Sequence, residues 1–357
     1  MKENMLTYIL REQETNLSIV KNRKCNLLQT VKSLDPQQKT WTILATGSSS
    51  NAIEASKYYV ENIAKIKVEI LMPYTFNRYY QAKEESNLTV FGVSQSGKSM
   101  STIEAMKKSK VLGANNITLL TSDTKSPAAI FADNIIDIGC GEEKVGYVTM
   151  GFSATVLTFM LLGLEAALYW GVITTNRYER EIISIVDTIK QTNQVISYSL
   201  DWYKENKQVL IDKEHFVIVG YGPGYGVAKE AALKMTETIR YPALSYELEE
   251  YMHGPFLALR DSTVTFLMET LENQDNRVRD IEEFNKKISK TTYLITCNSE
   301  KDESKFALDI IVPDLLSALL YVIPFQVLSF LIAEEKGNNL AVEIYPDFIP
   351  LMKSKAK

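Results

Sequence analysis

Two stretches of this sequence carry residue types that can cradle an anion. Thr46-Gly47-Ser48-Ser49-Ser50-Asn51 and Ser94-Gln95-Ser96-Gly97-Lys98-Ser99 each set small hydroxyl residues and a glycine after a short apolar run. A helical pattern follows each, at Ala52-Ile53-Glu54-Ala55 in the first case and near Thr102 in the second. At a helix start the unpaired backbone N–H groups and the helix dipole attract negative charge, serine hydroxyls add donors, and glycine lets the backbone come close. Phosphate binding is the chemistry this would serve. Neither stretch has the spacing of a Walker loop, and either one alone could equally be a serine-rich helix cap. A third stretch, Tyr221-Gly222-Pro223-Gly224-Tyr225-Gly226, alternates glycines without the GxGxxG spacing. It reads as a tight turn into a helix at Val227-Ala228-Lys229-Glu230 sooner than as a dinucleotide site. Histidine chemistry has two candidates, His215 and His253, and His215 directly precedes a strand-like run. Cys25, Cys140 and Cys297 are far apart and form no CxxC pair. Neither a zinc site nor a disulfide framework is expected, and a reducing compartment fits.

The elements that must position these residues repeat along the chain with one offset, 175 residues. Thr42–Gly47 aligns with Val217–Gly222, Val90–Val93 with Thr265–Met268, Ile117–Ser122 with Thr292–Cys297, and Ala132–Asp137 with Ala307–Val312. Four short apolar or β-branched runs in the same order, each followed by a helical pattern or a polar loop, argue for duplication of one α/β unit. Strands alternating with helices imply parallel sheets with helices on both faces, a doubly wound, flavodoxin-like arrangement. Ligands of such sheets bind beyond the carboxyl ends of the strands, which is where the serine stretches fall. The expected divisions are an N-terminal helical segment over 1–30, a first domain over 31–190, a second over 191–340 and a tail over 341–357. The joint lies in the polar helical stretch from Arg177 to Lys213.

A chain of 357 residues, 45 % hydrophobic and 23 % charged, is sized for two globular domains. Its net charge of −5 supplies no basic field for nucleic acid or an anionic membrane. Met1-Lys2-Glu3-Asn4 is too polar for a signal peptide. Met150–Thr174 and Leu315–Ala333 approach the length and apolarity of membrane spans. Glu165 sits within the first, and Pro324 and Gln326 interrupt the second, so both read as buried core helices. A cytoplasmic location is expected.

These residues together resemble the tandem SIS (sugar isomerase) domain family, in particular the isomerase half of glucosamine-6-phosphate synthase and the fructosamine 6-phosphate deglycases. Ser94–Ser99 looks like the family's SQSGET loop, Ala45–Ser49 like its CGTS-type loop, and Gly146-Tyr147-Val148-Thr149 like its GVAST segment. Ala231–Glu237 is similar to its GALKLKE helix, and His253-Gly254-Pro255 matches its HGP. Leu320–Leu328 resembles the helix before its KG turn, here Lys336-Gly337. The resemblance runs from about residue 40 to residue 340. It implies that Ser49, Ser94, Gln95, Ser96 and Ser99 hold a phosphate, with Gly47, Ser48, Lys98, Val148 and Thr149 nearby. It implies that Glu237 moves a proton between carbons 1 and 2, that His253 assists ring opening, and that Lys234 supports the sugar hydroxyls or the base. In the family the histidine comes from the neighbouring subunit, so a homodimer with shared active sites follows. The residues are compatible: three positions apart, Lys234 and Glu237 share a helix face. A carboxylate can abstract a proton next to a carbonyl when its surroundings tune its pKa.

The chain departs from the synthase pattern in several places. It begins Met1-Lys2, without the nucleophilic cysteine of a glutaminase domain, so ammonia release from glutamine is not expected. Asn339-Leu340-Ala341-Val342 has valine where the synthase has a substrate-contacting lysine, and Lys353, Lys355 and Lys357 do not fall at that spacing. Lys98 replaces the loop glutamate, and Ile344-Tyr345-Pro346-Asp347-Phe348 has no counterpart. The resulting expectation is an enzyme acting at carbons 1 and 2 of a 6-phosphorylated ketose, amino sugar or fructosamine, as a deglycase, an amine-transfer enzyme or an isomerase. No metal or organic cofactor is implied, because the base is a carboxylate and the electrophile is the open-chain carbonyl. The alternative is a non-catalytic phosphosugar sensor.

Overall fold

The computed structural model describes residues 3–81, 88–270, 276–299, 302 and 304–356. Two helices open the chain, α1 (Met5–Ile9) and α2 (Glu12–Ser33). Then come β1 (Thr40–Leu44), α3 (Ser48–Ala64), β2 (Lys67–Leu71), α4 (Pro73–Tyr79), β3 (Thr89–Val93), α5 (Met100–Val111), β4 (Asn116–Thr121) and β5 (Asn134–Asp137). Three long helices follow: α6 (Met150–Tyr169), α7 (Thr175–Ile189) and α8 (Thr192–Ile211). The second half runs β6 (His215–Gly220), α9 (Pro223–Ile239), β7 (Ala243–Glu247), α10 (Leu248–Met252), β8 (Thr263–Met268), α11 (Arg277–Lys286), β9 (Thr292–Thr296), β10 (Lys305–Ala307), α12 (Ala318–Glu335) and α13 (Phe348–Met352).

Packing divides the chain into two units. The first takes residues 14–144, 150–184 and everything from Glu343; the second takes the N-terminus to Gln13, Val145–Thr149 and Ile185–Val342. Each holds one five-stranded, all-parallel sheet, ordered β2-β1-β3-β4-β5 in the first and β10-β9-β8-β6-β7 in the second. Renumbered within its unit, the second order is the first read backwards, so the duplicated doubly wound fold expected from the sequence is present, and the order is that of flavodoxin.

Parallel strands buried on both faces read as continuous apolar runs, and β3, β4, β8 and β9 are buried along their whole length. In the first unit Leu44, Val90, Ile117 and Leu119 face Ile103 and Met106 of α5, while Trp41 and Phe91 on the opposite face meet Phe159 of α6. The second unit repeats the scheme. Val219, Leu267 and Leu294 pack with α10 and α11, and Phe266, Tyr293 and Phe306 surround Trp202 of α8, with Phe325 of α12 against Phe266. The most apolar stretches of α6 and α12 are 94 % and 83 % buried, as core helices are.

Three sequence expectations are corrected. The fourth repeat pair fails, because Ala307–Val312 is not a strand and β10 ends at Ala307. Leu294 of β9 pairs with Lys305, 11 residues on, whereas Thr118 of β4 pairs with Asn134, 16 residues on. The second crossover is thus shorter by the length of the 3₁₀ turn Pro127–Phe131, and Asp309, at φ 49°, ends the extended run. The other two concern helix starts. α3 begins at Ser48, not Ala52, and α9 at Pro223, not Val227. Gly47 and Gly222 are the N-caps, and Pro223 occupies the first turn, where its missing N–H costs nothing.

Candidate active site

In a 2-1-3-4-5 sheet the chain leaves β1 toward one edge and β3 toward the other, which opens a crevice between the carboxyl ends of those two strands. β1 and β3 are hydrogen-bonded neighbours in the first unit. The helices that start there are α3 and α5. Ser48, Ser49 and Ser50 form the first turn of α3, with the Ser50 hydroxyl buried and without a hydrogen-bond partner among the described residues. Ser99 is the N-cap of α5, and Thr102 donates from Oγ1 to Ser99 Oγ at 3.0 Å. Ser94 ends the β3 ladder, its N–H donating to Leu120 O at 3.1 Å. Ser96 and Lys98 are exposed on the turn between.

That turn is anchored from below. The Gln95 carbonyl accepts from Ser122 N at 2.8 Å, Ser122 Oγ at 2.9 Å and Thr121 Oγ1 at 2.9 Å. Gly97 N–H donates to Ser94 O at 2.9 Å, and Ala128 N–H to Gly97 O at 3.1 Å. Gly97 stands at φ 60°, and a β-carbon there would lie 1.9 Å from Ser126 Oγ. Both conformation and space require glycine. Gly97→Ala is expected to cost about 1–3 kcal/mol of stability. A denaturation midpoint equal to wild type would show instead that Ser126 gives way.

The Gln95 side chain is committed differently from what the resemblance implies. Its Nε2 donates to Glu143 Oε1 at 3.0 Å, and the same oxygen accepts from Gly151 N at 2.6 Å in the first turn of α6. A side chain at Gly151 would collide with the Gln95 carboxamide, at 2.3 Å. Glu143 was not singled out by sequence, where it is one acid in a polar loop. Beside it the buried Cys140 thiol is pushed up to about 12, by burial first and then by Glu143 and Asp137.

The equivalent crevice of the second unit, between β6 and β8, has the opposite character. The 175-residue offset sets Glu269 where the first unit has Ser94. The Glu269 carboxylate is gripped by Arg279, Nε–Oε1 2.5 Å and Nη2–Oε2 3.1 Å, and by Thr296 Oγ1 at 2.9 Å. Thr270 Oγ1 donates to Asp314 Oδ2 at 2.7 Å and shares a 3.1 Å hydrogen bond with the Tyr221 hydroxyl. Carboxylates line this switch point where serines line the first.

The second unit carries the expected acid–base residues. Lys234 Nζ lies 2.5 Å from Glu237 Oε2 and 3.7 Å from Glu230 Oε1 on α9. Lys234 and Glu230 are buried, while the Glu237 side chain is 34 % exposed, so the ammonium fixes a carboxylate that reaches solvent. Glu230 is the residue that sequence reading missed; its signal was the i,i+4 spacing to Lys234. The C-terminal end of α9 is tied to the segment after α12. Asn338 Nδ2 donates to Thr238 O at 3.0 Å and Ile239 O at 2.9 Å, and Arg240 Nη2 to Asn339 O at 3.2 Å. Val342, just beyond, is exposed.

His253 caps α10, which enters through Glu247, whose side chain accepts from the N–H groups of Glu249 and Glu250. The imidazole is exposed and makes no hydrogen bond or ion pair among the described residues. Lys234 and Glu237 are therefore brought together, and among the described residues no hydrogen bond or ion pair joins His253 to either. Val148 and Thr149 pack with the second unit, where the Thr149 carbonyl accepts from the buried Gln326 Nε2 at 3.1 Å. Among the described residues no group of three His, Cys, Asp or Glu side chains is placed to hold a metal ion.

Two doubly wound α/β units, one with a serine-lined switch point and one with a lysine-held glutamate, define a class of tandem α/β proteins. The chain belongs to the SIS domain family, which matches residues 36–167 and 209–333. It is 26 % identical over 326 residues to the glutamine–fructose-6-phosphate aminotransferase (isomerizing) of Caldanaerobacter subterraneus subsp. tengcongensis, covering 88 % of this chain and 52 % of that protein. The chain thus spans about half the length of the curated relatives it matches. A proposed phosphosugar isomerase from Clostridium difficile 630 superposes with a TM-score of 0.92 at 27 % identity, over 99 % of both chains. The C-terminal domain of glucosamine-fructose-6-phosphate aminotransferase from Francisella tularensis shares the fold, with a TM-score of 0.79 at 21 % identity over 96 % of this chain and 99 % of that one.

Proposed function

We propose that this protein is an enzyme acting at carbons 1 and 2 of a 6-phosphorylated ketose, amino sugar or fructosamine. The observation that carries the reading is the contrast between the two switch points: two serine-bearing helix starts in the first unit against paired carboxylates in the second. An anionic ligand finds open donors at one, whereas at the other the Thr270 and Thr296 hydroxyls already donate to carboxylates. Ser49, Ser94, Ser96 and Ser99, with the amides of α3 and α5, take the phosphate; Gln95 contributes once its carboxamide turns from Glu143. Glu237 is the base that carries a proton between carbons 1 and 2 of the open-chain sugar. Lys234, itself held by Glu230, keeps that carboxylate oriented. His253, exposed and without a hydrogen bond or ion pair among the described residues, serves a ring oxygen, and a homodimer would deliver it across subunits. Val342 supplies no cation where the synthase has its lysine, which favours deglycation or isomerisation over amine transfer onto fructose 6-phosphate.

The test is a turnover screen in D₂O with 6-phosphorylated fructosamines, glucosamine 6-phosphate, and fructose 6-phosphate with and without ammonia. Deuterium entering carbon 1 or 2 of any of them is the expected result, and the productive substrate identifies the reaction. Tight binding with no exchange in any case would assign a phosphosugar sensor. Absence of binding to all of them would remove the phosphosugar reading altogether.

A further inference from the structure

The strand pairings in both sheets are parallel, yet the end of the chain makes an antiparallel one with the serine loop. Met100 N–H donates to Ser354 O at 3.0 Å, and Ala356 N–H donates to Lys98 O at 2.8 Å. These two bonds flank a bridge between Ser99 and Lys355. Lys353, at φ 50°, ends α13 and turns the chain into this position, and Ala356 packs against the core that includes Ile103 and Ala128. The carbonyl of Ser354 takes the first amide of α5, a donor that the helix itself leaves unpaired. The loop is therefore clamped between its last serine and the helix it feeds.

Because the hydrogen bonds flank Ser99 and Lys355 instead of joining them, the two form a non-hydrogen-bonded antiparallel pair. In such a pair the Cα atoms stand about 4.5 Å apart, and the side chains leave the same face at their closest approach. Lys355 is exposed and makes no ion pair or side-chain hydrogen bond among the described residues. Its four-carbon arm starts beside the Ser99 hydroxyl, with Lys98 next in the loop.

We infer that the C-terminal strand completes the anion site, with Lys355 as a specificity-determining residue that selects phosphorylated over unphosphorylated sugars. This rests on the phosphosugar reading above. It assigns the lysine to the phosphate end of the ligand, away from the reacting carbons.

Titration calorimetry with fructose 6-phosphate, glucosamine 6-phosphate and unphosphorylated glucosamine tests it. Lys355→Ala is expected to weaken both sugar phosphates about tenfold, the size of one charged hydrogen bond. Lys355→Arg should bind nearly as wild type does. Raising ionic strength should weaken the wild type more than Lys355→Ala, a dependence that a merely structural role would not show. Ala356→Pro keeps the lysine but removes the N–H that grips Lys98 O, and should weaken the same ligands. Wild-type affinity in Lys355→Ala, when the unaltered chain binds sugar phosphates, overturns this inference and leaves the phosphate reading standing. An unaltered chain that binds neither sugar phosphate sinks both.

Discussion

Glu237→Gln is expected to lower the rate of hydrogen exchange at carbons 1 and 2 by about 10²–10⁴-fold, the span a positioned general base supplies. Phosphosugar binding should persist. The carboxylate is 34 % exposed and lies 2.5 Å from a lysine that is itself buried, so the amide fits the same space. Its loss removes the proton acceptor without opening a cavity. Lys234 then retains Glu230 as a counter-charge, so the helix is not left with an isolated buried ammonium. Deuterium incorporation followed by NMR gives the rate, and calorimetry gives the affinity. If Glu237→Gln exchanged hydrogen at the wild-type rate, the base would have to be another residue. If affinity disappeared along with the rate, Glu237 would be a binding residue.

Arg23→Met is expected to destabilise the first unit by about 3 kcal/mol. Glu165 sits near the C-terminal end of the apolar helix α6 with its side chain only 4 % exposed, and Arg23 of α2 meets its Oε1 at 3.2 Å. The Tyr178 hydroxyl of α7 also donates to Glu165 and accepts from Arg23 Nε at 2.9 Å. Burial first, and then the Glu165 carboxylate, push that phenol up to about 12, so it stays a neutral donor at any working pH. Without the arginine a buried carboxylate keeps the Tyr178 hydroxyl but loses its ion-pair partner among the described residues. Adding Glu165→Met to Arg23→Met should restore much of the loss, because a packed apolar pair avoids the desolvation of both ions. Denaturant titrations of the two single variants and the double variant measure the coupling. Additive losses would show that the pair does not interact.

What was legible in the sequence was local and buried. β1, β3, β4 and their repeats announce themselves because strands covered on both faces are apolar throughout. The edge strands β2 and β7 do not. They are half-exposed and carry Lys67 and Glu69, or Ser245 and Glu247, so their alternation dissolves into the surrounding polar chain. The serine stretches follow strands, as expected, but α3 and α9 start earlier than hydrophobic periodicity suggests, because Gly47 and Gly222 cap helices whose first turns are polar or glycine-rich. β10 was displaced by a shortened crossover, an indel that a fixed offset cannot register. Glu143 and Lys355 reach the serine loop from distant points of the chain, and no local pattern carries that information. The Lys234–Glu237 pairing was readable from spacing; that Lys234 and Glu230 are buried while Glu237 is not could come only from packing.

The first unit is discontinuous: its sheet is built from the early part of the chain, but its residue set closes with the segment from Glu343 onward. The second unit in turn includes α1, which comes before α2 in sequence. On a ribosome, domains ordinarily fold as they emerge, N-terminal first. Here neither unit can follow that schedule to its end. α1 must wait for the later half, and the serine loop stays unbuttressed until the residues after α12 have emerged. A chain shortened after α12 would still carry both sheets, Lys234, Glu237 and His253, yet leave the ribosome with its serine loop unfinished.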